Sequence, residues 1–207
     1  MQSRRYKKSE VITFRSTKGK YGGLSNMAPA YSVFVNSTII PTIEALYQAC
    51  RFPHLPDVQF EIINQNSPMT AKKVSREHTE FTREDWEEHR IQIMRWCLRI
   101  KLSQNFDSFS ELLLSTGDKS IVEYTKKDKI WGATDEGNGY LEGVNALGRL
   151  LMELREQIKE EQNFECIDPL EIENFLLFEN QIEEVCIATT DVFDLLMEEE
   201  EDLLIVV

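Results

Sequence analysis

Histidine and cysteine are scarce, and neither falls at metal-ligand spacing. His54, His78 and His89 stand apart, as do Cys50, Cys97, Cys166 and Cys186, so no zinc or other metal site is expected. Cys50 and Cys97 sit inside apolar helical patterns, and the cysteines are read as buried thiols without disulfides. Glycine-rich phosphate loops and dinucleotide fingerprints are missing. So is any Ser-His-Asp or Cys-His arrangement that would point to nucleophilic catalysis. No run reaches the roughly 18 apolar residues that a membrane span needs. The basic segment 1–8 lacks the apolar stretch of a secretory signal, so the expected location is the cytoplasm, away from any membrane. Positive charge is missing from one whole region: residues 160–207 hold sixteen acidic side chains and no Lys or Arg.

The rest of the chain is different. Residues 1–159 carry 20 acidic and 23 basic side chains, a net charge of +3 beneath the overall −13. This asymmetry predicts one near-neutral domain over 1–159 and an acidic C-terminal extension over 160–207. A charge of only +3 argues against strong nonspecific duplex binding. The extension also contains apolar groups at 175–178 and 203–207, so it is not a purely polar disordered run. The extension 160–207 is expected either to be solubilising or, through residues 198–202, to compete with anionic substrate or dock a basic partner.

Local pattern supplies the elements. Residues 11–15 alternate as a strand, and 31–40 read as a hairpin. Thr42 caps a helix in which Ile43, Leu46, Tyr47 and Cys50 form one apolar face beside Glu44, Gln48 and Arg51. A short helix follows over 56–65. Ser67-Pro68 opens another, to about Arg76. Residues 82–85 resemble a capping box before the longest helix, which runs to Gln104. Asp107 is expected to cap a helix over 108–115. A strand is expected at 120–125, then a polar connection over 126–143, then a helix over 146–160 capped by Asn145. This order predicts a compact, mostly helical α+β domain with a small sheet.

Three places hold unusual residues. Segment 21–30 places Gly22, Gly23, Ser25 and Asn26 in a nearly neutral stretch. It is either a surface turn or backbone lying against a bound molecule. Glu44 lies in the first turn of its helix, where the macrodipole alone favours it. Asp128 and Trp131-Gly132 lie in a long glycine-bearing loop, where an indole either plugs the core or stacks on a planar ligand.

Taken together, an ordered set of motifs resembles the NADAR family, also called YbiA-like. The set comprises Gly22-x-Leu-Ser-Asn26, Pro41-Thr-x-Glu44-x-x-Tyr47-Gln-Ala49, Ser67-Pro-Met-x-Ala71, Val122-Glu123, Asp128-x-x-Trp131-Gly132 and Gly143-x-Asn145-x-Leu-Gly148. The resemblance runs collinearly over about 12–158. It implies a hydrolase that cleaves the bond between a nitrogen and the anomeric carbon of a ribose. Some members act on phosphoribosyl-amino-pyrimidine intermediates of riboflavin synthesis, and others remove ADP-ribose from guanine in nucleic acid.

The first expectation is an ADP-ribosylated guanine or ADP-ribose-type nucleotide as substrate. The second is a riboflavin intermediate, and the third is a non-catalytic module that binds an ADP-ribose-like ligand. The partner is then a nucleotide-type small molecule or ADP-ribosylated nucleic acid, and no cofactor is implied. The resemblance makes Glu44 the catalytic carboxylate and Asp128 a second one. Gly22, Gly23, Ser25, Asn26, Tyr47, Trp131, Gly132 and Asn145 become substrate-binding positions, and Arg51 and Lys72, with Lys73 and Arg76, phosphate contacts. The chain departs from the family pattern at Arg51, where many members carry Lys, and at Ser75, where Gly is common.

Overall fold

The computed structural model describes residues 2–187. Six helices carry most of it: α1 (Ile43–Ala49), α2 (Pro56–Ile63), α3 (Pro68–Glu77), α4 (Trp86–Gln104), α5 (Phe106–Leu114) and α6 (Ala146–Lys159). Local chemistry starts several of them. The Thr42 hydroxyl accepts from the Ala45 amide at 3.2 Å, and the Ser67 hydroxyl from the Thr70 amide at 3.3 Å, each satisfying an amide the helix leaves unpaired. Helix α4 is central. It packs on α1, α5 and α6, and Ile93, Cys97 and Ile100 are fully buried along it.

The strands form small separate sheets. Strand β1 (Arg4–Lys7) pairs antiparallel with β7 (Tyr140–Gly143), which also pairs with β6 (Thr134–Asp135). Strand β2 (Ile12–Phe14) runs parallel to β5 (Ile121–Glu123), with Phe14 opposite Glu123. Strands β3 (Val33–Val35) and β4 (Thr38–Ile40) form a hairpin. Asn36 and Ser37 both adopt positive φ at its turn, the backbone that matches hairpin twist. The architecture is the expected α+β.

Several local expectations are corrected. The 126–143 connection contains the β6–β7 hairpin, turned by Gly137 and Gly139 at positive φ. Helix α5 begins at Phe106, ahead of Asp107, and Asn105 precedes it. The capping box expected over 82–85 does not form: Asp85 takes the position before α4 without a capping hydrogen bond, and its carboxylate binds the Arg83 guanidinium. Asn145 does not cap α6 either. It sits at φ 53° and gives its side chain to neighbouring backbone.

Beyond α6 the chain stays packed on the domain. Strands β8 (Cys166–Ile167) and β11 (Val185–Cys186) pair with each other and contact α4. Strands β9 (Leu176–Leu177) and β10 (Asn180–Gln181) form a second ladder. Phe164, Ile167, Phe175 and Leu177 join the main core. Residues 198–202 lie outside the described residues. Among those described, no helix is long and apolar enough to cross a membrane.

The reading of all four cysteines as thiols is also corrected. Cys50 and Cys97 are free and buried, but Cys166 and Cys186 form a disulfide. They lie directly opposite in the β8–β11 register, a pairing that local periodicity cannot reveal. For their sequence separation of 20, chain entropy assigns the bridge about 3 kcal/mol. Reduction is therefore expected to lower Tm by about 6–12 °C, read by calorimetry with and without a thiol reductant. An unchanged Tm would show that the strands hold without it.

Candidate active site

The segment carrying Asn26 is held from beneath by a buried cation. Lys101 of α4 is fully buried, and its Nζ donates to the carbonyls of Gly23 at 2.6 Å and Ser25 at 3.2 Å. It also lies over the rings of Tyr31 and Phe109, 4.4 and 4.2 Å from their centroids. Burial pushes its ammonium well below the usual lysine range; carbonyl oxygens and ring faces favour the charged form. The Glu44 amide donates to the Asn26 carbonyl at 3.0 Å, which ties the segment to α1. The Asn26 side chain is 5% exposed. Its nitrogen donates to the Met94 sulfur, while its Oδ1 has no partner among the described residues. A buried acceptor without a donor costs free energy, and here it lines a cleft.

That cleft has a volume of about 280 Å³, and Glu44 lies in its wall. Glu44 is 5% exposed. Its Oε1 pairs with Lys72 Nζ at 3.0 Å and accepts from Gln48 Nε2 at 2.9 Å. Gln48 is fixed in turn, because its Oε1 accepts from the Ser75 hydroxyl at 2.6 Å and from Arg51 at 3.2 Å. Arg51 also donates to Ser75 and to Thr82, both at 2.8 Å. Both departures from the family pattern thus meet in one network that orients Glu44. Trp131 meets Tyr47 edge-on at 5.6 Å, and Tyr47 meets Trp86 at 5.0 Å, giving the cleft an aromatic side. Burial, and then the Glu44 charge, push the Tyr47 hydroxyl up, so it remains a neutral donor at neutral pH.

Two further carboxyls complete the lining. Asp128 Oδ1 accepts from the amides of Ile130 at 2.8 Å and Trp131 at 2.9 Å, shaping the loop that presents the indole. Glu123 closes β5. Burial pushes its carboxyl up to about 7, with help from Asp128 and Glu44 and against Lys72.

The structure brings Ser25, Asn26, Glu44, Tyr47, Arg51, Lys72, Asp128 and Trp131 to this one cleft, with Arg76. Lys73 instead pairs with Glu77 on the exposed side of α3. Gly22, Gly23, Gly132 and Asn145 stand outside the cleft lining. A Cβ on Gly22 would lie 2.2 Å from the Thr17 carbonyl oxygen, and one on Gly132 would lie 2.4 Å from that of Glu123. The space at Gly23 is filled by Leu112 and Tyr31. Protein, then, is what approaches these glycines. Asn145 is fully buried behind β5.

Sequence reasoning gave no role to Glu123, Arg15, Arg90 or Trp86, all of which line the cleft, nor to Lys101. For Glu123 a signal existed. Strand alternation puts it on the face opposite Val122, and Val122 packs with Tyr6, Ala133 and Leu141.

Known proteins share this fold and sequence. Over 148 residues the chain is 40% identical to the N-glycosidase YbiA of Escherichia coli strain K12, covering 72% of this chain and 88% of that one. Over 151 residues it is 35% identical to the riboflavin biosynthesis protein VVA0006 of Vibrio vulnificus, covering 73% of this chain and 39% of that one. The NMR structure of E. coli YbiA superposes with a TM-score of 0.62 at 37% identity, covering 73% of this chain and 86% of that one. The relatives and the carboxylate-bearing cleft define an N-glycosidase. The NADAR domain profile matches residues 13–159, and the chain belongs to that family.

Proposed function

We propose that the cleft hydrolyses the bond between a base nitrogen and the anomeric carbon of a ribose phosphate. The observation that carries this is Glu44: a buried carboxylate clamped by Lys72 and Gln48 beside an acceptor, Asn26 Oδ1, that lacks a donor. Breaking such a bond builds positive charge on the sugar ring, which a fixed carboxylate stabilises best where water is excluded. Glu44 also takes the proton of the attacking water. Asn26 Oδ1 accepts from a sugar hydroxyl, and the base lies against Trp131 and Tyr47. Lys72, Arg76 and Arg90 in the cleft lining supply the charge for a phosphate.

Size selects among substrates. About 280 Å³ lies just below the usual range of ligand pockets, roughly 300–1,000 Å³, which favours a mononucleotide over a larger ligand. A phosphoribosyl-amino-pyrimidine is therefore the first substrate class, in keeping with the relative named for riboflavin biosynthesis. An ADP-ribose-type nucleotide is the second reading, favoured by one observation. Arg15 also borders an adjoining cleft of about 270 Å³ with Lys20, Tyr21, Gly22 and Tyr124, where a larger ligand could extend.

The test offers a phosphoribosyl-amino-pyrimidine and an ADP-ribosylated guanine oligonucleotide side by side, with products read by mass spectrometry. Free pyrimidine and ribose phosphate are expected. Cleavage of the oligonucleotide alone would install the second reading, and cleavage of neither would overturn both.

A further inference from the structure

Glu123 has no task in the reaction as described, yet it lies in the same cleft. Its position is fixed from behind. Its amide donates to Asn145 Oδ1 at 3.0 Å, and Asn145 Nδ2 donates to the Ile121 carbonyl at 2.8 Å. Gly148 lets α6 close against this strand, for a Cβ there would lie 2.2 Å from the Ile121 carbonyl oxygen. Glu44 holds an ion pair and a hydrogen bond, whereas the Glu123 carboxyl makes neither with any described residue. Two carboxyls of one cleft thus have opposite surroundings, the arrangement that separates an acid from a base.

We propose that Glu123 is the general acid, giving its proton to the departing nitrogen as the bond to the anomeric carbon breaks. This rests on the N-glycosidase function proposed above. The electron pair of the broken bond goes to nitrogen, which takes the Glu123 proton. Water adds to the anomeric carbon and gives its proton to Glu44. That proton returns through solvent to Glu123, and nothing is oxidised or reduced. Burial, and then Asp128 and Glu44, raise Glu123 to about 7, so about half of the molecules carry the proton at neutral pH and the protonated form prevails below it. The charged groups around it are Glu44 from α1, Lys72 from α3, Asp128 from the following loop and Arg15 from the end of the paired strand β2.

Two measurements test the assignment. Glu123→Gln and wild type are assayed on a phosphoribosyl-amino-pyrimidine and on para-nitrophenyl riboside phosphate, whose leaving group departs without a proton. The variant is expected to lose about 10²-fold or more on the first and to stay within about tenfold of wild type on the second. The alkaline limb of the wild-type kcat/KM profile near pH 7 is expected to vanish in the variant. Equal losses on both substrates would overturn the assignment.

Thermal melts read the proton without turnover. A raised carboxyl binds more protons when folded, so its contribution is present below the ordinary carboxylate range and lost as pH rises through about 7. The Tm advantage of Glu123→Gln over wild type is therefore expected to grow from about pH 5 to about pH 8. A constant difference would overturn the role of Glu123 alone. A wild type that cleaves neither substrate would overturn the function and the role together.

Discussion

Glu44→Gln is expected to lower kcat by about 10²–10⁴-fold while leaving the fold in place. The substitution keeps shape and one acceptor oxygen, so the Gln48 donor still has a partner. Lys72 loses its anion, but its side chain is 33% exposed and can turn to water. What disappears is the negative charge facing the sugar and the base that receives the water proton. Both act only as the transition state forms, so KM is expected to change far less than kcat. Single-turnover release of the free base, paired with a melting curve, checks this. A variant within tenfold of wild type would remove Glu44 from the chemistry.

Lys101→Ala is expected to cost about 3–5 kcal/mol of stability, read by urea unfolding. Truncation leaves a hole between Tyr31 and Phe109 and strips the Gly23 and Ser25 carbonyls of their donor. Lys101→Met separates these effects, since it fills the space without donating. Its stability loss is expected to be smaller, but the 22–26 segment loses the anchor beneath Asn26. Activity is expected to fall in the Met variant while it is still fully folded, with faster hydrogen exchange at amides 24–27. Normal activity in a folded Met variant would confine Lys101 to the core.

What the sequence made legible was local. Thr42 and Ser67 announced their helices through hydroxyl caps, and the apolar face of α1 followed from spacing alone. Glu44 and Asp128 were reached through resemblance, because neither position is chemically telling by itself. Lys101 was hidden because a lysine in a long helix reads as a solvated face. Only the rings of Tyr31 and Phe109 and two distant carbonyls make it a core residue. The Cys166–Cys186 pair was hidden for a similar reason, and for Glu123 strand alternation gave the face it lies on but not its raised carboxyl. Burial beside Asp128 and Glu44, and the register of two short strands, are set by parts of the chain far apart. Segment 21–30 was read for backbone facing a ligand. In the structure its glycines face Thr17, Tyr31 and Leu112, while Ser25 and Asn26 face the cleft.

The strap over 164–187 constrains how the acidic terminus can be studied. Phe175 meets Trp96 at 4.8 Å. Gln59 of α2 donates to the Leu176 carbonyl and accepts from the Phe178 amide. Ending the chain after 159, where the family match stops, would bare the indole of Trp96 and leave Gln59 Oε1 without its donor. Such a fragment is expected to aggregate before its catalysis could be compared with anything. Ending it after 187 removes seven of the sixteen acidic residues and leaves that apolar seam closed, so a change in turnover there would belong to the terminus itself.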